Sequence, residues 1–261
     1  KMFLTLWNVH KFHLDYAILD NFDYNKDFIT VDKRNALDRW ILSRVSTVAE
    51  NYHNQYVSWE FHKAARELEN FVINDLSNWY VRRSRRRLWD EADSHDKQAC
   101  QFTLHEVLLT VSKLMAPVAP YMSDKIHFDL TGTSVHMADW PIGSDLVSKD
   151  LPPQDLDLEN RMSIVRMLAE TGRKIRVEAK RRQRLPCKEG WIVGGPDLSE
   201  FHSIIAEELN VEKLTTENNL DRFQKIEIMP NHKVLGAKCR ADLPKVLSEL
   251  SQLEPDSLLS D

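Results

Sequence analysis

Glycine is scarce in this chain, seven residues in 261, and no glycine-rich nucleotide loop can be assembled from them. Cysteine is scarcer: Cys100, Cys187 and Cys239 lie far apart, with no Cys-x-x-Cys pair. That spacing argues against a disulfide scaffold and a structural zinc site, and for the reduced thiols of a cytoplasmic protein. His10-x-x-His13 has a ligand spacing, but no acid or cysteine stands near it, so no metal is expected and two partly exposed helix histidines are the reading. Long apolar runs are missing too. The most apolar stretch, residues 107–122, is interrupted by Lys113, Pro117 and Pro120, so no membrane association is expected. The first residues, Lys1-Met2-Phe3-Leu4-Thr5-Leu6-Trp7, lack the apolar core and cleavage site of a secretory leader and read as a chain entered in mid-domain. Repeats and low-complexity segments are absent. Positive charge is not in surplus either, with 35 Lys and Arg against 40 Asp and Glu and a net charge of -5. A general nucleic-acid coat is excluded on that balance, and any affinity for a polyanion must come from local patches.

What is present is a real apolar complement, 42% of residues, enough for one large domain or two ordinary ones. Up to about residue 140 the spacing is helical. Phe3, Leu6, Trp7, Phe12 and Leu14 mark a first helix, and Asp32 is placed to cap a second built on Leu37, Trp40, Ile41, Val45 and Val48. Ser58 can cap a third with Phe61, Ala65, Leu68 and Val72, and Ser94 a fourth with Ala99, Phe102, Val107, Val111 and Leu114. Pro117 ends that helix, Pro120 opens a fifth, and Gly132 follows it. The expected fold is mainly α: an antiparallel helical bundle over residues 1–147, a linker over 148–157, and a small α/β domain over 158–261. In the latter, a helix from Leu158 precedes strands at 190–193, 211–215 and 223–229, with helices at 201–209 and 242–253.

One stretch stands out against this background: Asn74-Asp75-Leu76-Ser77-Asn78-Trp79-Tyr80-Val81-Arg82-Arg83-Ser84-Arg85-Arg86-Arg87-Leu88-Trp89, with five arginines in six residues. On an α-helical wheel Leu68, Val72, Asp75, Trp79, Arg82 and Arg86 share one stripe, apolar first and then acidic, aromatic and basic. Asp75 and Asn78 sit one turn before the arginines, spaced to hold the guanidinium planes of Arg82 or Arg83. Complementing a helix dipole accounts for one or two such residues at about 0.3 to 1 kcal/mol each, but five repel one another. Phosphate binding through Arg82, Arg83, Arg86 and Arg87 is the better reading, with Trp79 available to stack an unpaired base. RNA, whose loops splay bases out, is then the expected ligand. Arg173, Lys174, Arg176, Lys180, Arg181, Arg182 and Arg184, opposed locally by Glu178 alone, form a second basic run. Of these Arg173, Lys174, Arg176, Lys180 and Arg184 are the candidate second phosphate surface.

Four segments occur in order: Leu37-Asp38-Arg39-Trp40-Ile41-Leu42-Ser43-Arg44, the arginine stretch, Leu114-Met115-Ala116-Pro117-Val118-Ala119-Pro120, and Ser134-Val135-His136-Met137-Ala138-Asp139-Trp140-Pro141. This order resembles the anticodon-binding helical domain of class I aminoacyl-tRNA synthetases. The Asn-Trp-Tyr-x-Arg-Arg-x-Arg-Arg-Arg run is similar to the isoleucine-specific members, in the eukaryote-like branch that also occurs in some bacteria. Pro230-Asn231-His232-Lys233-Val234-Leu235-Gly236 extends the resemblance over nearly the whole chain. Arg182-Gln183-Arg184-Leu185-Pro186 is like the family's basic turn but departs from it in the arginine after Gln183 and in the order of leucine and proline. The resemblance implies a monomer that binds the anticodon arm of an isoleucine-accepting tRNA, with catalytic and editing domains elsewhere in the same full-length chain. The His-x-Gly-His and Lys-Met-Ser-Lys-Ser motifs of the catalytic domain do not occur here. ATP and Mg are accordingly expected in the parent enzyme, with no cofactor in this part. Three other readings stay open on sequence: the same region of a valine-specific member, a stand-alone RNA-binding module, and a helical scaffold whose arginines grip an acidic protein.

Overall fold

The computed structural model describes residues 1–26, 28–89, 94–141, 153–218 and 245–246. Two compact units divide the chain, one of residues 1–184 and 198–209, the other of residues 185–197 and 210–261. In the first unit the helices are α1 (Met2–Leu19), α2 (Ala36–Val57), α3 (Phe61–Asn70), α4 (Arg82–Trp89), α5 (His95–Met115), α6 (Pro120–Thr131), α7 (Leu156–Glu178) and α8 (His202–Leu209). The second unit contributes two parallel strands, β1 (Cys187–Val193) and β2 (Val211–Glu217), with Cys187 opposite Val211 and Val193 opposite Glu217. Helical bundle and small α/β portion are thus both present. The strand expected at 223–229 and most of the helix expected at 242–253 lie outside the described residues.

Caps explain several boundaries. Ser94 accepts from the Lys97 amide at 3.1 Å and opens α5, Pro120 occupies the start of α6, and Gly132 closes that helix at φ +75°, a left-handed conformation that suits glycine. The cap of α2 is Asn35, whose side chain accepts from the Asp38 amide at 2.9 Å, and not Asp32, which lies in a short 3-10 turn at Val31–Lys33. Ser58 ends α2 instead of starting α3. Asp155 caps α7 through the Leu158 amide at 2.9 Å, so that helix begins inside the span expected to be linker.

The apolar sets read from spacing on α2 and α5 form the core: Trp40, Ile41, Val45, Val48, Ala99, Phe102, Val107, Val111 and Leu114 are all buried. On α3 Leu68, and Val72 just beyond it, are buried as the spacing predicts, but Ala64 is buried in place of Ala65 and Phe61 is exposed. Helix α7 belongs to the same unit as the bundle. Its Glu159 accepts from the hydroxyls of Ser43 and Thr47 on α2 at 2.6 and 2.7 Å.

His10 and His13 are buried, not partly exposed. His10 pairs with Asp129 at 3.0 Å through Nε2. His13 packs edge-on against His105, which stacks on Tyr24 with ring centroids 4.2 Å apart. Burial pushes His13 down from 6.5 to about 3, helped by the charges of His105 and His10, and burial alone pushes His105 to about 4. The unfolded chain protonates these imidazoles near 6.5, so below that value it binds more protons than the folded one. Their contribution is complete above about pH 6.5 and is lost as pH falls, with a slope approaching roughly 1.4 kcal/mol per unit for each histidine. Urea unfolding between pH 7.5 and 4.5 should show this loss, and His13→Gln should flatten the slope; a pH-independent stability above 4.5 contradicts it.

Candidate nucleic-acid interface

Helix α3 runs without a break into residues Phe71–Val81 and on into α4, but those eleven residues wind as a π-helix. The Arg82 amide donates to the carbonyl of Ser77, five residues back. Each such ring takes in one residue more than an α-helical turn, and π segments of this length are rare and concentrated at functional sites. A stripe drawn at α-helical spacing through Asp75, Trp79, Arg82 and Arg86 therefore does not survive the π segment. Asp75 and Trp79 turn inward and are buried, whereas Arg82 and Arg86 on α4 face solvent.

The carboxylate of Asp75 does not orient Arg82 or Arg83. It accepts from Arg44 Nε at 3.2 Å and from an Arg166 terminal nitrogen at 2.5 Å. Asn78 does touch Arg82, through its backbone carbonyl, which accepts from Nε at 2.9 Å. Trp79 is 6% exposed, and the guanidinium carbons of Arg82, Arg83 and Arg166 lie 5.7, 5.7 and 5.5 Å from its ring centre. Cation–π contact with three arginines makes this indole a support for their planes, not an open platform for a base.

The five arginines of α4 separate into two groups. Arg87 turns inward, donating to both carboxylate oxygens of Asp38 at 2.8 and 2.6 Å and to Asp96 at 2.7 Å. Asp38 is fully buried and also accepts from Tyr80 at 2.5 Å. Burial works against the charge of Arg87, but the hydrogen bonds and charge of Asp38 outweigh it and keep the guanidinium protonated well beyond the ordinary range. Cys100, beside this group, is pushed up to about 11 by burial. Arg83 also turns inward, to Glu208 at 2.6 Å and Glu207 at 2.7 Å on α8. Arg82 reaches Glu208 at 2.7 Å while remaining half exposed. Burial raises the Glu208 carboxyl, yet bonding to Arg82 and Arg83 holds it below the usual carboxylate range. Arg85 and Arg86 are exposed and have no ion-pair partner among the described residues.

The second run divides in the same way. Arg173 also pairs with Glu208, and Lys174 pairs with Glu170 at 2.8 Å. Arg176 is buried and donates to the carbonyls of Leu209 and Arg182, each at 3.1 Å. Lys180, with φ at +53° just past the end of α7, and Arg181, Arg182 and Arg184 are exposed. Between the π segment and α7 opens a cleft of ≈ 870 Å³ in which Asn78, Trp79, Arg82 and Arg173 meet Asn74, Arg166, Glu170, Gln183 and Glu208.

Arg166 and Glu208 escaped the sequence reading, and Arg85, counted in the arginine run, was not among the phosphate contacts named from it. Glu208 carried a signal, since Ile204, Ile205 and Glu208 share the buried side of α8 and an acid on an apolar stripe requires a cation opposite it. Arg166 carried none, because its partner Asp75 is ninety-one residues away in the chain.

Comparison with known proteins agrees with this architecture. Residues 38–190 match the model of the anticodon-binding domain of tRNA ligases, and the chain belongs to that family. An isoleucine–tRNA ligase of Clostridium acetobutylicum is 35% identical over 97% of this chain and 24% of its own length. The isoleucine–tRNA ligase 2 of Bacillus cereus is 34% identical over the same shares, 97% and 24%, and an isoleucine–tRNA ligase of Chlamydia caviae is 35% identical over 99% and 25%. The chain spans about a quarter of the length of these relatives.

The two groups of arginines should respond differently to truncation. Arg87→Ala strands a buried carboxylate and should cost about 3 to 5 kcal/mol, while Arg86→Ala should stay within about 0.5 kcal/mol of the parent. Urea denaturation of both variants checks this, and equal stabilities would refute the division.

Proposed function

We propose that the chain binds the anticodon arm of an isoleucine-accepting tRNA as part of an isoleucine–tRNA ligase. Catalysis with ATP and Mg²⁺, and editing, then reside in other domains of the same polypeptide, in a cytoplasmic monomer. Membership of the anticodon-binding family and the names of the relatives support this reading. The observation that carries it is the presence of exposed arginines, Arg85 and Arg86, without an ion-pair partner among the described residues, on a helix whose other arginines are neutralised by buried acids. Uncompensated guanidinium groups on a rigid helix suit bidentate contact with phosphate.

Residue roles follow from pairing state. Arg85 and Arg86 contact the RNA directly, Arg82 does so by exchanging Glu208 for phosphate on its exposed side, and the exposed Lys180 and Arg184 form a second phosphate surface. Asp75, Asn78, Trp79, Arg83, Arg87 and Arg176 position this surface from beneath, and Arg173 and Lys174 exchange their carboxylate partners for phosphate if RNA reaches them.

Retention of the isoleucine tRNA should fall steeply with salt. Arg86→Ala should reduce the slope of log K against log salt by about 1, and a valine tRNA should be retained less well than the isoleucine tRNA. Salt-independent retention, or a slope unmoved by Arg86→Ala, defeats the assignment.

A further inference from the structure

Regular α-helical winding resumes at Arg82, and from there one face of α4 can be read off directly. Residues spaced i, i+3, i+4 and i+7 fall within about 100° of arc. On α4 these are Arg82, Arg85, Arg86 and Trp89. All four are exposed, Trp89 at 58%, whereas Ser84 and Leu88 on the opposite side are buried. Angularly the indole lies between Arg85 and Arg86, and no ring or guanidinium contacts it among the described residues.

We propose that Trp89 is the stacking platform for one unpaired base of the bound RNA, with Arg85 and Arg86 gripping phosphates on either side of it. The inference rests on the reading of the chain as an RNA-binding domain and names the aromatic residue that meets the ligand. An indole more than half exposed, one turn beyond two guanidinium groups that have no ion-pair partner among the described residues, combines the two elements of single-strand recognition, a π surface for a base and a cationic track for its backbone. Trp79 cannot take this part, because it is 6% exposed and three guanidinium groups surround its ring. A protein-docking patch fits this face less well, since Trp89 is the one apolar side chain among three arginines on this face of α4 and docking hot spots centre on clustered apolar groups. A duplex fits less well too, because its stacked bases show no free face to a side chain.

The test uses the 261-residue chain with two RNA probes: the anticodon stem-loop of an isoleucine tRNA, and a blunt duplex with the same number of phosphates. Trp89→Ala should weaken stem-loop binding by about 5- to 150-fold, leave the salt slope unchanged and leave duplex binding unchanged. Trp89→Phe should retain most of the affinity. The pair Arg85→Ala and Arg86→Ala together should lower the slope by about 2 for both probes. Thermal melts of each variant should match the parent, since all three side chains are exposed. Undiminished stem-loop binding by Trp89→Ala, or equal loss for stem-loop and duplex, overturns the platform. If the arginine pair still lowers the slope in that case, the RNA-binding reading stands without it. If the unaltered chain binds neither probe in a salt-dependent way, both fall.

Discussion

A carboxylate shut away from water must be neutralised where it stands, and three of them set the layout of the helical unit. The side chains of Asp38, Asp75 and Glu208 are 0, 5 and 4% exposed. Leaving any of them as a lone ion costs several kcal/mol even after relaxation, so each draws in guanidinium groups. Asp38 takes Arg87 with the hydroxyl of Tyr80, Asp75 takes Arg44 and Arg166, and Glu208 takes Arg82, Arg83 and Arg173. The acids lie on α2, the π segment and α8, and the arginines on α2, α4 and α7. Burial of charge thereby ties together elements far apart in sequence. It also removes the difficulty of five like charges in six residues, because those facing inward meet opposite charge and only part of the run remains uncompensated.

The π segment decides which residues do which. Had Phe71–Val81 continued as α-helix, Asp75, Trp79, Arg82 and Arg86 would have shared one face, and acid, indole and arginine would have met the same ligand. The wider rings turn the acid and the indole inward ahead of α4, where Asp75 meets arginines of α2 and α7 and Trp79 lies under guanidinium groups. The exposed face of α4 then starts afresh from Arg82. A change of winding converts a single mixed stripe into a buried supporting layer and an exposed basic face.

Features that depend on neighbours in the chain were legible in the sequence. Ser94, Pro120 and Gly132 mark helix ends by local backbone chemistry, and the core positions of α2 and α5 repeat at the helical period. The arginine run declared itself by composition alone. What could not be read were outcomes of competition at a distance. Asp32 and Asn35 are both of capping residue type, and Asn35 became the cap of α2 because the backbone enters the helix there. A π segment has no local residue code comparable to a cap or a turn, so a wheel at constant period passes over it. The partners of Asp75 lie thirty-one and ninety-one residues away, where no spacing rule within one helix reaches. The burial of His10 and His13 likewise depends on α5 and α6, which bring His105 and Asp129 to them.

Arginine rather than lysine at the inward positions follows from the number of bonds required. Arg87 supplies donors from three nitrogens to both oxygens of Asp38, to the Asp96 carboxylate and to the Asp96 carbonyl at 2.8 Å. A lysine ammonium carries its donors on one atom and cannot span two acids in a plane. With Arg83 anchored near the start of α4 and Arg87 near its end, the helix is pinned on its inner side at both ends, and Arg85 and Arg86 project from a fixed backbone between them. A ligand gripping these two side chains has to immobilise only the side chains, since the helix beneath is already held, and the entropy lost on binding is smaller for it. Under the proposed RNA-binding role, the number of arginines in the run would therefore overstate the number of phosphates met. The remaining arginines would act on affinity indirectly, by fixing in advance where the exposed ones stand.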